Sequence, residues 1–185
     1  MGRSQAKRER LVEAASTLIH EQGFGRTTLA DIARESDVPL GNVYYYFKTK
    51  EDIGAAVVED RAAGFRSMFS AWERDFPPRD ALMRYLDMVE GQSEAATEFG
   101  CPIGSLCQEL DKSRSPLSRQ VDDVVRLQLS WVTRQFEKMG LDNPRRAALD
   151  MMTGLHGAFL VANALKDDGV VVQRVGALRE WLESL

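Results

Sequence analysis

The chain predicts an all-α fold. Apolar residues recur at i, i+3 and i+4 almost from end to end, no stretch of useful length alternates apolar and polar residues, and glycines and prolines fall between the periodic segments. About nine helices are expected, grouped as an N-terminal three-helix domain over residues 1–49 and a C-terminal helical domain over 50–185. At 185 residues and 44% hydrophobic content, the chain has the apolar material for a sizeable core in one or two domains.

Taken in order, Leu11, Ala14, Ala15, Leu18 and Ile19 mark the inner face of a first helix that Gly23 terminates. Thr28 followed by Asp31 is a variant of the capping box, which starts a short second helix. Leu29, Ile32 and Ala33 form its buried stripe, and Asp37 and Pro39 punctuate the chain after Ser36. A tight turn leads to a third helix, with Val43 and Phe47 inward and Leu40, Gly41, Asn42, Tyr44 and Tyr45 outward. Thr49 and Asp52 repeat the capping spacing, so a long helix runs from about Lys50 to Asp75, where Pro77-Pro78 stops it. Further helices are expected over 79–98, 102–112, 116–139, 144–166 and 170–184, separated by Phe99-Gly100, Ser113 to Ser115, Gly140 and Gly169.

The second and third helices read as a DNA-binding helix-turn-helix. Tyr44, Tyr45 and Tyr46 cannot all be core, and each hydroxyl needs a partner that a phosphate oxygen supplies well. Lys48 and Lys50 stand at a helix N-terminus, where cations oppose the macrodipole, a placement that makes sense if an outside anion binds both the lysines and the terminal amides. The formal charge of −4 divides into +2 over residues 1–50 and −6 over the remainder, which puts the nucleic-acid face at the N-terminus. Thr28, Tyr45, Tyr46, Lys48 and Lys50 are assigned to phosphates, and Leu40, Gly41, Asn42 and Tyr44 to the major groove of double-stranded DNA.

From about Arg8 to Phe65 the chain resembles the N-terminal domain of the tetracycline-repressor (TetR) family of bacterial regulators, in Thr27-Thr28 with Ile32-Ala33 and in Gly41, Tyr44 and Tyr46-Phe47-Lys48 with Lys50. The resemblance implies a nine-helix homodimer that binds a palindromic operator and leaves it when a small molecule enters the C-terminal domain. It implies a transcriptional regulator, most often a repressor. Pro39 and Leu40 depart from the family pattern, which more often has Ser and a polar or basic residue there, so no base preference is carried over.

The second half bears on assembly and control. Residues 151–165 carry no formal charge, with Leu149, Met152, His156, Phe159 and Asn163 on one helix face and Ala148, Met151, Leu155, Ala158, Ala162 and Leu165 on another. A helix apolar on two faces must be covered on both. With the stripe Val171, Val175, Leu178, Leu182 and Leu185 of the last helix, it predicts a four-helix bundle formed with a second copy; the alternative is that both helices are internal to a monomer. The apolar segment is too short and polar to span a bilayer, so no membrane partner is expected. Phe65, Met68, Phe69, Trp72, Tyr85, Met88, Trp131 and Phe159 are candidate lining for a small apolar or amphipathic effector, with Gln92, Gln108, Glu109, His156 and Asn163 as polar candidates; each aromatic also reads as plain core.

Enzyme chemistry finds no footing in the sequence. There are two histidines, His20 and His156, and no HExxH, CxxC, GxSxG or phosphate-cradling glycine loop, so no catalytic residue, metal or cofactor is expected. The basic N-terminus has no apolar segment before Leu11, and with two cysteines and no export signal the expected compartment is the cytoplasm. Cys101 precedes Pro102, a residue suited to the first helical position, which places the thiol at an N-cap facing unpaired amides. That setting favours thiolate and a sensor role; the other reading is a small buried apolar residue. Some TetR-family members with a similar Gly-Cys segment respond to thiol reagents, and control by thiol modification at Cys101 or by a protein partner is the alternative to a pocket ligand. Cys107 lies about 240° further round an ideal helix, so a Cys101–Cys107 disulfide would need local unwinding.

Overall fold

Ten α-helices and no strand make up the described residues, 3–111 and 115–185, of a computed structural model. They are α1 (Arg3–Gln22), α2 (Leu29–Glu35), α3 (Leu40–Tyr46), α4 (Lys50–Asp75), α5 (Pro78–Glu90), α6 (Ser93–Phe99), α7 (Gly104–Asp111), α8 (Pro116–Lys138), α9 (Pro144–Leu165) and α10 (Gly169–Ser184). The single helix expected over 79–98 is divided into α5 and α6. Gly91 closes α5, its N–H donating back to Asp87 O while the Gln92 N–H donates to Val89 O, and Gln92 sits near φ −100° and ψ 3°, which turns the chain before Ser93. The expected break at Ser113 and Arg114 lies outside the described residues.

Helix ends follow local chemistry. Gly23 stops α1 at φ +88°, a left-handed value that glycine takes without strain. Asn143 caps α9 through its side chain, with Pro144 at the first helical position. The C-terminal carbonyls of α6 are taken by α9 and its end: Asn163 Nδ2 donates to Thr97 O at 2.9 Å and Lys166 Nζ to Glu98 O at 3.0 Å.

The chain falls into two compact units, Met1–Ala63 with Ser105–Val124, and Gly64–Gly104 with Val125–Leu185. In the first, Leu11, Ala15, Ile32, Val43, Ile53 and Val121 are fully buried. Truncating Leu11, Ile32 or Ile53 to alanine should cost about 2–5 kcal/mol, enough to matter to a domain of ordinary stability. In the second, Phe69, Leu82, Leu86, Trp131, Phe136, Met151, Leu155 and Leu182 belong to one continuous core.

The packing of α9 and α10 corrects the expected division of faces. Both α9 faces assigned from the sequence are largely internal, since Ala148, Met151, Met152, Leu155, Ala158, Phe159 and Ala162 are buried in the chain's own core. The α10 stripe is internal too, with Val171, Val175, Leu178 and Leu182 buried. What remains outward is Leu149, Leu165 and Leu185 from those sets, joined by Leu160, Val161 and Val172, which the assigned faces did not include. Beside it a groove of about 410 Å³ runs between Gly154, Gly157 and Val161 of α9 and Val170, Arg174 and Ala177 of α10.

Candidate nucleic-acid interface

The first element of the interface caps itself. Thr28 Oγ1 accepts from the Asp31 N–H at 3.1 Å, and Asp31 Oδ2 accepts from the Thr28 N–H at 3.1 Å, the reciprocal pair expected from the spacing. The Thr28 hydroxyl also donates to Asp31 Oδ2 at 2.6 Å, and Arg34 pairs with Oδ1 at 2.7 Å. These two contacts, the hydroxyl first, hold the Asp31 carboxyl below the usual carboxylate range. After Ser36, Asp37 adopts φ 50° and the Val38 N–H returns to Ala33 O at 3.0 Å, so the chain doubles back within a few residues.

Helix α3 is pinned by its two inward anchors. Val43 is fully buried and Phe47 is 4% exposed, while Leu40, Tyr44 and Tyr45 are 39%, 47% and 74% exposed. Gly41 is exposed, with open space where a Cβ would stand, and Asn42 is half-buried. Leu40, Tyr44 and Tyr45 thus form an exposed row of large apolar and aromatic side chains on a short helix.

The phosphate candidates divide. Thr28 and Lys48 are exposed, and Lys48 Nζ donates to Tyr44 O at 2.7 Å across the end of α3. Tyr46 is half-buried, its hydroxyl 3.0 Å from Ser4 Oγ and its ring edge-on to Tyr45, so it has a partner inside the chain that the sequence did not reveal. Lys50 turns onto the protein. Its ammonium donates to Phe24 O at 2.9 Å and Gly25 O at 3.0 Å and lies 4.7 Å from the Phe24 ring centroid. Nor does the N-terminus of α4 call for an outside anion, because Asp52 Oδ2 accepts from the N–H groups of Lys48 at 3.1 Å and Thr49 at 2.9 Å. Thr49 Oγ1 completes the second box by accepting from Asp52 N–H at 3.1 Å.

This short-helix pair lies within residues 11–57, which match the family described as bacterial regulatory proteins, tetR family. Similar curated proteins include the HTH-type transcriptional repressor DhaR of Mycobacterium sp. (strain GP1), 29% identical over 169 residues, 84% of this chain and 77% of that one. The HTH-type transcriptional regulator HbdR of Aromatoleum sp. (strain CIB) is 43% identical over 110 residues, 60% of this chain and 41% of its own. Among solved structures, a TetR-family regulator from Agrobacterium tumefaciens shares the fold with a TM-score of 0.84 at 22% identity, over 98% of each chain. Together these findings support a TetR-family transcriptional regulator. Regulators of this family bind DNA and act as dimers, and its members are transcriptional regulators rather than enzymes.

The effector candidates pack on one another. Phe69 stacks on Trp131 at 4.2 Å with 9° between the rings, and Phe65, Trp72 and Tyr85 lie within about 6 Å of Phe69. Tyr85, Trp131 and Phe159 are buried, Phe65, Trp72 and Met88 partly so against the same core, and Met68 is half-buried. The Tyr85 hydroxyl donates to Gln128 at 3.0 Å, and the buried Trp131 indole N–H has no acceptor among the described residues. Of the polar candidates, Asn163 serves α6, and Glu109 belongs to the first compact unit, where it binds the turn after α1.

Cys101 meets His156. Its sulfur lies 3.6 Å from His156 Nδ1 and accepts from the Gly104 N–H at 3.3 Å. Helix α7 begins at Gly104 and not at Pro102, yet the thiol still serves the amide three residues on, as an N-cap side chain does. Burial pushes the His156 imidazole below its ordinary value, and burial, then the neighbouring Cys101, pushes the Tyr85 hydroxyl up. No helix among the described residues is long and apolar enough to cross a membrane.

Proposed function

We propose that the protein is a homodimeric transcriptional repressor that occupies a palindromic operator and is released by a small apolar or amphipathic effector. The observation that carries the reading is α3: its interior side is used up by Val43 and Phe47, while the large side chains of Leu40, Tyr44 and Tyr45 stand exposed on the opposite side. Leu40, Gly41, Asn42 and Tyr44 are the groove-facing set, with Thr28, Tyr45 and Lys48 on phosphates. Tyr46 and Lys50 are better placed as braces of that surface. The uncovered residues Leu149, Leu160, Val161, Leu165 and Val172 support pairing with a second copy, which supplies the second half-site contact.

For control, the aromatic cluster around Phe69 and Trp131 supports a planar apolar effector, and the Trp131 N–H gives it a hydrogen-bond donor to satisfy. A second reading, thiol modification at Cys101, is favoured by the sulfur's contacts with His156 and the Gly104 amide. The test is selection of bound sequences from random duplex DNA by the full-length protein, then a screen for compounds that release the complex. Enrichment of a two-fold symmetric site is the expected result. Recovery of no sequence above background would overturn the reading.

A further inference from the structure

The turn between α1 and α2 is built around a carboxylate from far along the chain. Glu109 of α7 accepts from the Phe24 N–H at 2.8 Å through one oxygen and from the Gly25 N–H through the other. The turn leaves room for it: a Cβ at Gly25 would stand 2.9 Å from Glu109 Oε1, and one at Gly23 would stand 3.2 Å from Oε2. The carbonyls of Phe24 and Gly25 are taken from the other side by Lys50. Both edges of one short segment are thus held by charge, an anion on its amides and a cation on its carbonyls. Bonds of this kind are roughly twice as strong as their neutral counterparts.

The position of this clamp gives it leverage. The segment leads directly into Thr27 and the α2 cap at Thr28, and Lys50 opens α4 just after α3. The helix-turn-helix is therefore gripped at both of its chain ends. Leu106 and Leu110, 4% and 6% exposed, fix the register of α7 so that Glu109 falls on the turn. All of these residues lie in one compact unit.

We propose that Glu109 is a positioning residue for operator binding: its carboxylate, seated on Gly23-Phe24-Gly25, holds the helix-turn-helix in the arrangement that docks on DNA, and its withdrawal is the local event of release. The inference rests on the reading that α3 contacts DNA. It is tested with the full-length protein, Glu109→Ala, Glu109→Gln and Gly25→Ala, using the duplex selected by wild type. Amide exchange at Phe24 and Gly25 is followed without DNA, and operator affinity is measured well below the thermal midpoint of each variant.

In Glu109→Ala, exchange at both amides should quicken and operator affinity should fall about tenfold or more, the scale of one lost charge-assisted bond. The salt slope should be unchanged, because no phosphate contact is removed. Glu109→Gln, which keeps one acceptor, should be intermediate. Gly25→Ala, which crowds the carboxylate from the receiving side, should act in the same direction and carries the test if Glu109→Ala does not fold. Faster exchange with full affinity in the folded variants would make Glu109 a local stabiliser only and overturn the proposal, as would unchanged exchange. Failure of wild type to select any duplex would overturn the DNA-binding reading and this inference with it, an outcome distinct from the other two.

Discussion

The sulfur of Cys101 lies 3.6 Å from Nδ1 of His156, and these are residues from well-separated parts of the sequence that share one packed unit. Burial disfavours the imidazolium, so the neutral ring stands as a hydrogen-bonding neighbour of the thiol, and the Gly104 amide faces the sulfur with positive charge. Alkylation of the native protein at neutral pH should label Cys101, and His156→Leu should slow that labelling roughly tenfold, the lower end of what a positioned base contributes. Equal rates in wild type and His156→Leu would leave Cys101 with a packing role.

His156 also sets a pH dependence. Its folded value lies below the ordinary value of about 6.5, so on acidification the unfolded chain takes up a proton first. Its contribution to stability is complete above that value and declines as the pH falls through and below it. The thermal midpoint should drop between pH 7 and pH 5, and His156→Gln should flatten the drop. An identical profile in the variant would remove His156 as its source.

On the DNA-facing side, Lys48→Ala should weaken binding to all duplexes alike and make its salt dependence shallower. Asn42→Ala should change the preferred base at one position in each half-site, at a cost of about 1–3 kcal/mol. Titrations at several salt concentrations against matched and mismatched duplexes separate the two. An unaltered slope for Lys48→Ala would mean that this lysine does not meet phosphate.

Gly41 offers a sharper contrast between folding and binding. A Cβ there meets nothing within 4 Å and lies in a helix, so Gly41→Ala should stabilise the chain by about 0.5–1 kcal/mol. If the backbone at Gly41 approaches base edges, the same change should reduce operator affinity. A more stable variant with unchanged affinity would place Gly41 away from the groove.

The outward apolar residues of α9 are 63% exposed at Leu160 and 66% at Leu165, an expense for a lone chain. Leu160→Glu together with Leu165→Glu should shift the protein to monomers in sedimentation velocity and weaken operator binding, while leaving the helical content intact. A dimer that survives both changes would need another interface.

Much of this was legible in the sequence because it is local. The two capping boxes at Thr28 and Thr49, the anchors Val43 and Phe47 and the ends of α4, α8, α9 and α10 each depend on spacings of a few residues, which a single turn of helix enforces. The pairings of Tyr46 with Ser4, Lys50 with Phe24 and Gly25, Glu109 with the same two residues and Cys101 with His156 are set by tertiary packing, and nothing in the spacing of those residues reveals them. Lys50 shows the difference most plainly: its charge was visible, but not the pair of carbonyls that neutralises its call for an external partner. The faces of α9 misled because periodicity reports which residues are apolar, not which of two apolar sides the chain covers for itself.

The match to the family ends at residue 57, but the packing around those residues does not. Gly54 lies so close under Phe24 and Leu117 that an added Cβ would stand 2.7 Å and 3.0 Å from them, and Leu117 arrives from α8 with Val121 and Val124 buried behind it. Evolutionary or laboratory shuffling of headpieces among such regulators is thereby constrained. A transplant cut after α4 would arrive without its underside, and a recombinant that keeps the recipient's 105–124 would seat a foreign turn on that segment. If α3 reads the operator as proposed, new preferences are more cheaply acquired by drift at Leu40, Asn42 and Tyr44, whose replacement leaves that seam untouched.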